Sequence, residues 1–304
     1  MIENNTIAVV ISTHNNINYL KLLYSSIINN FTIVDDIIIY AENCTDGTNE
    51  WLSNIFVTKD KPSLYVYIQN DVINPGISSG INKAISMVDT DYFILLHSDM
   101  YVTKGYDIEL YNYFTKEEYR DKRLIVSGWR AEPNIWGNNS NTPGLVTAPI
   151  SYFGEYYHNF RQELFNEWAI IFSKQNRDKT IRNMMGAGGY MMKKSDWDYL
   201  GGNDEIFNPA CYEDIDLCLR AQLKDFELIT TCNTLIYHFS GRGSWYPTDN
   251  IGKKSERQQT AEQTGMIKWL NKWGERFERD ESDCPILTKT MKNFILKNRN
   301  NFVY

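Results

Sequence analysis

Asp91-Tyr92-Phe93-Ile94-Leu95-Leu96-His97-Ser98-Asp99-Met100 reads as a buried strand that stops abruptly at a carboxylate, with a histidine two residues before it. Short runs rich in Ile, Leu and aromatic residues are strand signals. In open α/β sheets, chemistry gathers just outside the carboxyl ends of such strands. Much later in the chain come a second acidic cluster, Glu213-Asp214-Ile215-Asp216, and a histidine, His238, that closes the apolar run Leu235-Ile236-Tyr237. Two acidic sites and a histidine, each at an element boundary, point to one metal-assisted active centre.

Upstream of this stretch the pattern repeats as strand and helix. Residues 7–12, 36–40 and 64–69 are apolar strand-like runs. Between them, Tyr19 to Ile28 carries Leu20, Leu23, Ile27 and Ile28 at helical spacing, and Glu50 to Phe56 and Asn82 to Met87 read as further helices. Polar turns separate the elements, notably Glu42-Asn43-Cys44-Thr45-Asp46-Gly47-Thr48 and Asn74-Pro75-Gly76. A β-α-β-α order of this kind implies a doubly wound, mostly parallel sheet with right-handed crossovers. Residues 130–180 change character: they are rich in Trp, Tyr and Phe, show no strand alternation, and predict few regular elements. Met184 to Met192 reads as a close-packed glycine turn running into a strand. Glu213 to Leu223 is helical, and so is Gln258 to Trp273, with Gly274 as its stop.

Composition excludes several classes. A chain of 304 residues can bury a sizeable core. Its net charge of −7 argues against a nucleic-acid-binding protein, which would carry a basic face. The five cysteines are scattered without a CxxC pair, so a zinc site is not expected, and a reducing cytosol fits best. The first residues lack the features of a signal peptide, and no apolar run approaches the roughly 20 residues that span a membrane. The expected localisation is cytoplasmic, at most peripheral to a membrane. Residues 286–304, with Lys289, Lys292, Lys297 and Arg299, read either as a packing helix with a solvated face or as a membrane or partner contact. The aromatic richness is either core or the lining of a sugar or nucleotide cleft.

Taken in order, these segments resemble the family 2 glycosyltransferases, inverting enzymes of the GT-A fold, over roughly residues 6–275. Val9 to Asn15 is similar to the family's opening strand and its threonine-containing exit. Glu42 to Thr48 resembles the acidic turn that holds the base and ribose of a nucleotide-sugar donor, and Asn74-x-Gly76-x5-Asn82 the loop that leads into the next helix. Leu96-His97-Ser98-Asp99 stands in the place of the Asp-x-Asp motif. Gly186 to Lys194 is similar to a glycine-rich acceptor segment, and Leu200 to Phe207 to the Gly-Gly-Phe-Asp-Glu turn. Tyr212 to Arg220 resembles the Glu-Asp-x-Asp-Leu-x-x-Arg helix start, Tyr237-His238 the late histidine, and Lys272-Trp273-Gly274 the closing motif. Two positions depart from the pattern: His97 replaces the first Asp, and Ile81 stands where many members carry Arg or Lys. Diphosphate neutralisation then falls on the metal or on Lys83.

The resemblance implies a GT-A domain whose residues 1–105 bind the nucleotide sugar, whose residues 106–250 bind the acceptor and carry the catalytic motif, and a helical appendage over residues 251–304. It implies sugar transfer from a nucleotide diphosphate sugar, a UDP-sugar being favoured, to a hydroxyl of a glycan, lipid-linked saccharide or glycoprotein. Leaving-group charge calls for Mn²⁺ or Mg²⁺, with Asp99 as a metal ligand and His238 either a second ligand or an ordinary strand-end histidine. Inversion calls for a base, which the resemblance assigns to Asp214 beside Glu213. Asp216 either caps the helix or pairs with Arg220. Thr13, His14, His97 and Ser98 fall on the donor side. Glu42 is either a donor contact or a turn residue, and Asn82 either a donor contact or a helix cap. Gly188, Gly189 and Tyr190 fall on the acceptor side, and Trp168, in the aromatic-rich segment, offers a face for sugar stacking. Two other classes remain. A nucleotidyltransferase would begin with a glycine-rich basic loop where Ser12 to Asn16 stands. A non-catalytic sugar-binding relative would be expected to have lost Asp99 or the Glu213-Asp214 pair.

Overall fold

The computed structural model describes residues 5–55, 62–73, 75–133, 145–182, 188–240, 255–279, 284–298 and 303. Asn74, Trp136, residues 184–187 of the glycine-rich segment and Arg299 lie outside the described residues. The chain opens with β1 (Ile7–Thr13), α1 (Ile17–Asn30), β2 (Asp36–Glu42), α2 (Thr48–Ser53), β3 (Ser63–Gln69), α3 (Ile77–Ile85) and β4 (Tyr92–His97). β5 (Met100–Val102), α4 (Tyr106–Phe114), β6 (Leu124–Pro133), β7 (Leu145–Ala148), α5 (Ile150–Phe153), α6 (Gln162–Gln175) and β8 (Thr180–Arg182) follow. Then come β9 (Tyr190–Lys193), α7 (Lys194–Leu200), α8 (Glu213–Leu223), β10 (Glu227–His238), α9 (Glu256–Trp273), the antiparallel pair β11 (Glu278–Arg279) and β12 (Pro285–Ile286), and α10 (Lys289–Asn298).

One ten-stranded sheet runs in the order β3-β2-β1-β4-β9-β6-β10-β5, with β7 added to β6 and β8 to β10. β1 illustrates why its strands are apolar throughout. Ile7, Val9 and Ile11 join the core on one face with Leu20 and Leu23 of α1, whereas Ala8 and Val10 join the other with Ala84 and Ile85 of α3. Side chains alternate across a strand, so a sheet covered by helices on both faces demands apolar residues at every position. β3, at the sheet edge, instead leaves Tyr65 and Tyr67 exposed. The architecture is the mixed α/β fold expected from the β-α-β-α order.

β4 and β6 both pair antiparallel with β9, and β10 pairs parallel with β6. The carboxyl ends of β1, β2, β4, β6 and β10 therefore share one edge of the sheet, and β9 begins there. That edge positions the site.

The segment around residues 130–180 is more regular than its sequence suggests. α6 buries Phe165 and Ala169 and packs Trp168 and Phe172 against an aromatic cluster with Tyr101, Phe160 and Tyr237. These positions follow the i, i+3, i+4, i+7 spacing of a helix face, a signal hidden by the search for strand alternation. β6 was missed for a related reason. Its run Leu124 to Gly128 is buried, but Trp129 to Glu132 breaks the apolar pattern.

α9 begins at Ser255, whose hydroxyl accepts from Gln258 N at 3.1 Å, and ends at Gly274 with φ of 82°. Cβ at Gly274 would collide with the Phe294 ring, so glycine serves both the left-handed stop and the close approach of α10. Trp269 and Trp273 of α9 and Met291 and Ile295 of α10 form a separate core with Phe207 and Leu219. Lys289, Lys292 and Lys297 are exposed on the outer side of α10, which is thus a packing helix with a solvated face. Among the described residues, no helix is long and apolar enough to cross a membrane.

Candidate active site

β4 delivers His97 to the carboxyl edge, and the turn into β5 delivers Asp99. β5 pairs antiparallel with β10, placing Met100 opposite His238, and Phe239 N donates to Asp99 O at 3.0 Å. This register brings the three side chains together. His97, Asp99 and His238 each offer a ligand atom, all within 4.8 Å of one another. His238 Nε2 lies 3.5 Å from Asp99 Oδ1. His97 Nε2 is buried and has no hydrogen-bond partner among the described residues. An unpartnered buried nitrogen is costly unless something outside the chain meets it. One carboxylate, two imidazoles and that open nitrogen fit a divalent cation.

The strand end of β6 supplies two residues that sequence reasoning did not single out. Glu132 Oε1 lies 2.7 Å from His238 Nδ1, the ring nitrogen away from Asp99. A carboxylate behind a ligand histidine fixes its ring and tautomer and raises its basicity. Arg130, two residues earlier on the same strand face, approaches Glu132 Oε1 at 3.5 Å. The signal was present in the spacing Arg130-x-Glu132 after a buried apolar run, but it becomes legible only once β6 is recognised as a strand beside β10.

Electrostatics follow from this packing. Burial alone would lower the His238 pKa, but Asp99 and Glu132 outweigh it and push it up to about 10. Burial would raise Asp99, and His238 overrides it to hold the carboxyl below its usual range. Burial would likewise raise Glu132, which Arg130 and His238 together bring down. His97 is held low by burial, against the pull of Asp214 and Asp99.

Glu213 and Asp214 open α8, where the partial positive charge of the helix start faces them. Both carboxyls are raised. Burial comes first for each, and the Asp214 charge adds to it for Glu213. His97, Arg130 and His238 pull Asp214 back down, which places its charge in the same field as the histidine cluster. Glu213 Oε2 is buried without a hydrogen-bond partner among the described residues. Tyr190, at the start of β9, is buried, and burial followed by the Asp214 charge raises its phenol well above normal.

The remaining candidates fall into three groups. Thr13, His14 and Glu42 meet at the ends of β1 and β2. Thr13 Oγ1 donates to Asn15 O at 2.7 Å, and His14 Nδ1 lies 2.9 Å from Glu42 O. Glu42 is buried and accepts from Gly76 N at 3.1 Å, so its carboxylate also braces the start of α3. Asn16 Nδ2 donates to Ser98 Oγ at 3.2 Å, tying this group to the β4 exit. Gly188 lies against His97, and Gly189 follows it, with φ of 70° and 66°. A Cβ at Gly188 would press on Met100 and His97, and one at Gly189 on Ile236 and Tyr106. Tyr106 holds this segment, its hydroxyl donating to Gly189 O at 2.5 Å and accepting from Gly128 N at 3.0 Å. Two residues stand apart. Asn82 bonds the 203–205 turn, donating to Asn203 O at 2.8 Å and Glu205 Oε1 at 3.0 Å and accepting from Asn203 N at 2.8 Å. Trp168 packs in the aromatic cluster against Phe153, Phe165 and Phe172.

The sequence model of glycosyl transferase family 2 matches residues 8–200. That is well over half of the chain, and the chain belongs to this family. Its fold is similar to that of GalNAc-T7 in a crystal structure with UDP, GalNAc and Mn²⁺, with a TM-score of 0.61 and 12% identity over 90% of this chain and 49% of that one. It is also similar to S. aureus TarS 1-349 in complex with UDP-GlcNAc, with a TM-score of 0.54 and 13% identity over 97% of this chain and 73% of that one. The chain therefore spans about half the length of the GalNAc-T7 structure. At these identities the likeness establishes the GT-A fold. No curated protein sequence matches the chain.

Proposed function

We propose that this chain is an inverting glycosyltransferase that moves a sugar from a UDP-sugar to a hydroxyl of a glycan, lipid-linked saccharide or glycoprotein. The observation that carries this reading is the convergence of His97, Asp99 and His238 within 4.8 Å, in the electrostatic field of Asp214. The UDP, UDP-GlcNAc and Mn²⁺ named for the similar structures support the choice of donor and ion. His97, Asp99 and His238 would hold the cation, with Glu132 orienting His238. Two nitrogen ligands favour Mn²⁺ over Mg²⁺, which prefers oxygen. The cation supplies Lewis-acid stabilisation of the negative charge that develops on the departing diphosphate.

Asp214 accepts the proton of the attacking acceptor hydroxyl. Its raised pKa makes it a stronger base than a solvated aspartate, while the electrostatic pull of His97, Arg130 and His238 opposes the effect of burial. Glu213, pushed up to about 8 by burial and then by the Asp214 charge, retains its proton near neutrality and donates a hydrogen bond toward Asp214 or the acceptor. Thr13, His14, Glu42 and Ser98 shape the donor cleft. Gly188, Gly189 and Tyr190 form the floor on the acceptor side, and Trp168 supports its aromatic wall. The protein works in the cytoplasm, with the basic outer side of α10 available to a membrane surface.

The test is calorimetric titration of UDP, GDP and dTDP, each with and without Mn²⁺, into the wild type and Asp99→Ala. Binding of UDP that needs both Mn²⁺ and Asp99 is the expected result. No binding of any nucleotide would overturn the reading and leave a non-catalytic sugar-binding protein in its place.

A further inference from the structure

Among the described residues, Arg130 is a cation beside the site with no recorded hydrogen bond. Its side chain is only 14% exposed, and the only ion-pair partner recorded for it among the described residues is Glu132, at 3.5 Å. That separation is too long for a hydrogen bond. Glu132 is itself engaged at 2.7 Å by His238. The guanidinium thus donates no hydrogen bond to any described side chain or backbone carbonyl. A buried structural arginine looks different in this same protein. Arg220 gives Nε to Asp216 at 2.8 Å, Nη1 to Leu200 O at 2.8 Å and Nη2 to Gly202 O at 2.6 Å. Five donors in a fixed fork, on a largely covered side chain with no hydrogen bond to any described residue, suit an anion.

The location says which anion. Arg130 lies on the same face of β6 as Glu132, at the sheet edge where β4 and β10 bring His97 and His238. Its charge is felt by His97, by Glu132 and by Asp214. It therefore lies beside the Glu132–His238 pair, within electrostatic reach of both His97 and Asp214. The two other positions that the sequence offered for this charge do not meet the site. Ile81 contributes no charge, and Lys83 is exposed on α3, whose neighbour Asn82 faces the 203–205 turn.

We infer that Arg130 binds the diphosphate of the nucleotide sugar and stabilises the charge it gains as the glycosidic bond breaks. This rests on the donor-site reading above. The planar fork matches two phosphate oxygens, and the partial desolvation of the site strengthens the contact.

UDP, UMP and uridine are titrated calorimetrically with saturating Mn²⁺ into wild type, Arg130→Ala, Arg130→Lys and Asp99→Ala. Mn²⁺ binding without nucleotide is followed in parallel by the paramagnetic resonance of the free ion, and folding by thermal melting. Arg130→Ala should weaken UDP binding by about tenfold to a hundredfold, as loss of a charge-assisted hydrogen bond predicts. UMP should lose less, and uridine nothing. Arg130→Lys, which keeps the charge without the fork, should recover part of the loss and keeps the test open if the alanine variant does not fold. Mn²⁺ alone should bind no more weakly. Wild-type affinity for UDP in both arginine variants, with binding lost in Asp99→Ala, would overturn the inference and leave the donor site standing. An equal loss for UDP, UMP and uridine would overturn it too, because it would mark a structural role for Arg130. Absence of UDP binding by the wild type would instead bring down the donor-site reading on which the inference rests.

Discussion

Helix α8 feeds two clusters of charge. On one side, Asp216 accepts from Arg220 Nε at 2.8 Å and Trp273 Nε1 at 2.9 Å, and lies 2.7 Å from Lys272 Nζ. Lys272 also donates to Asp204 at 2.8 Å, and Arg220 donates to two carbonyls. On the other side, Glu213 adjoins Asp214, whose charge lies in the field of His97, Arg130 and His238. Among the described residues, His97 Nε2 and Glu213 Oε2 have no partner there, and no hydrogen bond is recorded for Arg130. Both clusters join acidic to basic side chains, the first fully buried and the second largely so. In the first, opposite charges and hydrogen bonds answer one another, as buried ions require. In the second, the groups are held in position but hydrogen-bonding atoms of His97 and Glu213 stay unmet among the described residues. The first fastens α9 to α8, and the second is where a ligand completes the bonding.

The contrast makes Asp214 and Asp216, two residues apart on one helix, respond oppositely to the same change. Asp214→Asn should cut turnover by about a hundredfold to ten-thousandfold, the usual range for loss of a general base. It should leave unfolding free energy at pH 7 unchanged or higher, because burial already disfavours that charge. Asp216→Asn should lower stability, because Lys272 and Arg220 both lose their counter-charge. Comparable stability loss in both variants, read from urea unfolding, would erase the distinction between the clusters.

Lys272→Met carries the next largest effect. It leaves Asp204 and Asp216 without one buried cation, and breaking such a pair costs about 3–5 kcal/mol. Lys272 is buried, so little solvent screening reduces the figure. Urea unfolding of the variant, with Asp204→Asn/Lys272→Met as the paired control, checks this. The double variant should recover part of the loss, and UDP affinity at a temperature where both are folded should be near that of the wild type.

A third expectation concerns the open cluster alone. His238 holds a proton up to about pH 10 in the metal-free protein, and a cation must displace it. Mn²⁺ affinity should therefore climb by about tenfold per pH unit between about pH 6 and about pH 9. In Glu132→Gln one of the two carboxylates that raise His238 is gone, so the climb should level off at lower pH. Identical pH profiles for the two proteins, measured by resonance of free Mn²⁺, would remove Glu132 from its place behind His238.

How much of this was legible beforehand depended on whether a residue's neighbours were close in sequence. His97 and Asp99 ended a strand that announces itself by its apolar run, and the helix Glu213 to Leu223 was read to the residue. Arg130 and Glu132 were not, because their meaning comes from β10, which pairs with β6 from about a hundred residues downstream. Lys272-Trp273-Gly274 was visible as a motif, but its bonds to Asp204 and Asp216 belong to tertiary packing. Glu42 and Asn82 show the converse. Their positions were legible, whereas the bonds that brace Gly76 and the 203–205 turn were not.

The smallest effect separates Glu213 from the paired carboxylates behind it. Its pKa is raised by burial and by the Asp214 charge, so the folded protein binds its proton more tightly than the unfolded chain does. The stability this contributes is fully present below the ordinary glutamate pKa of 4.5. It is lost as pH rises toward the folded value, because ionisation then favours the unfolded chain. The slope is at most about 1.4 kcal/mol per pH unit for one proton. Glu213→Gln mimics the protonated side chain at every pH. Metal-free Glu213→Gln should therefore match the wild type in mild acid and exceed it increasingly through neutrality, in urea unfolding measured across pH. Asp216→Asn should show no such gain, since that carboxylate is answered by Lys272 and Arg220. If Glu213→Gln followed the wild-type pH profile throughout, Glu213 would be a compensated structural carboxylate like Asp216, and the division of α8 into a fastened side and an open side would fail at its first residue.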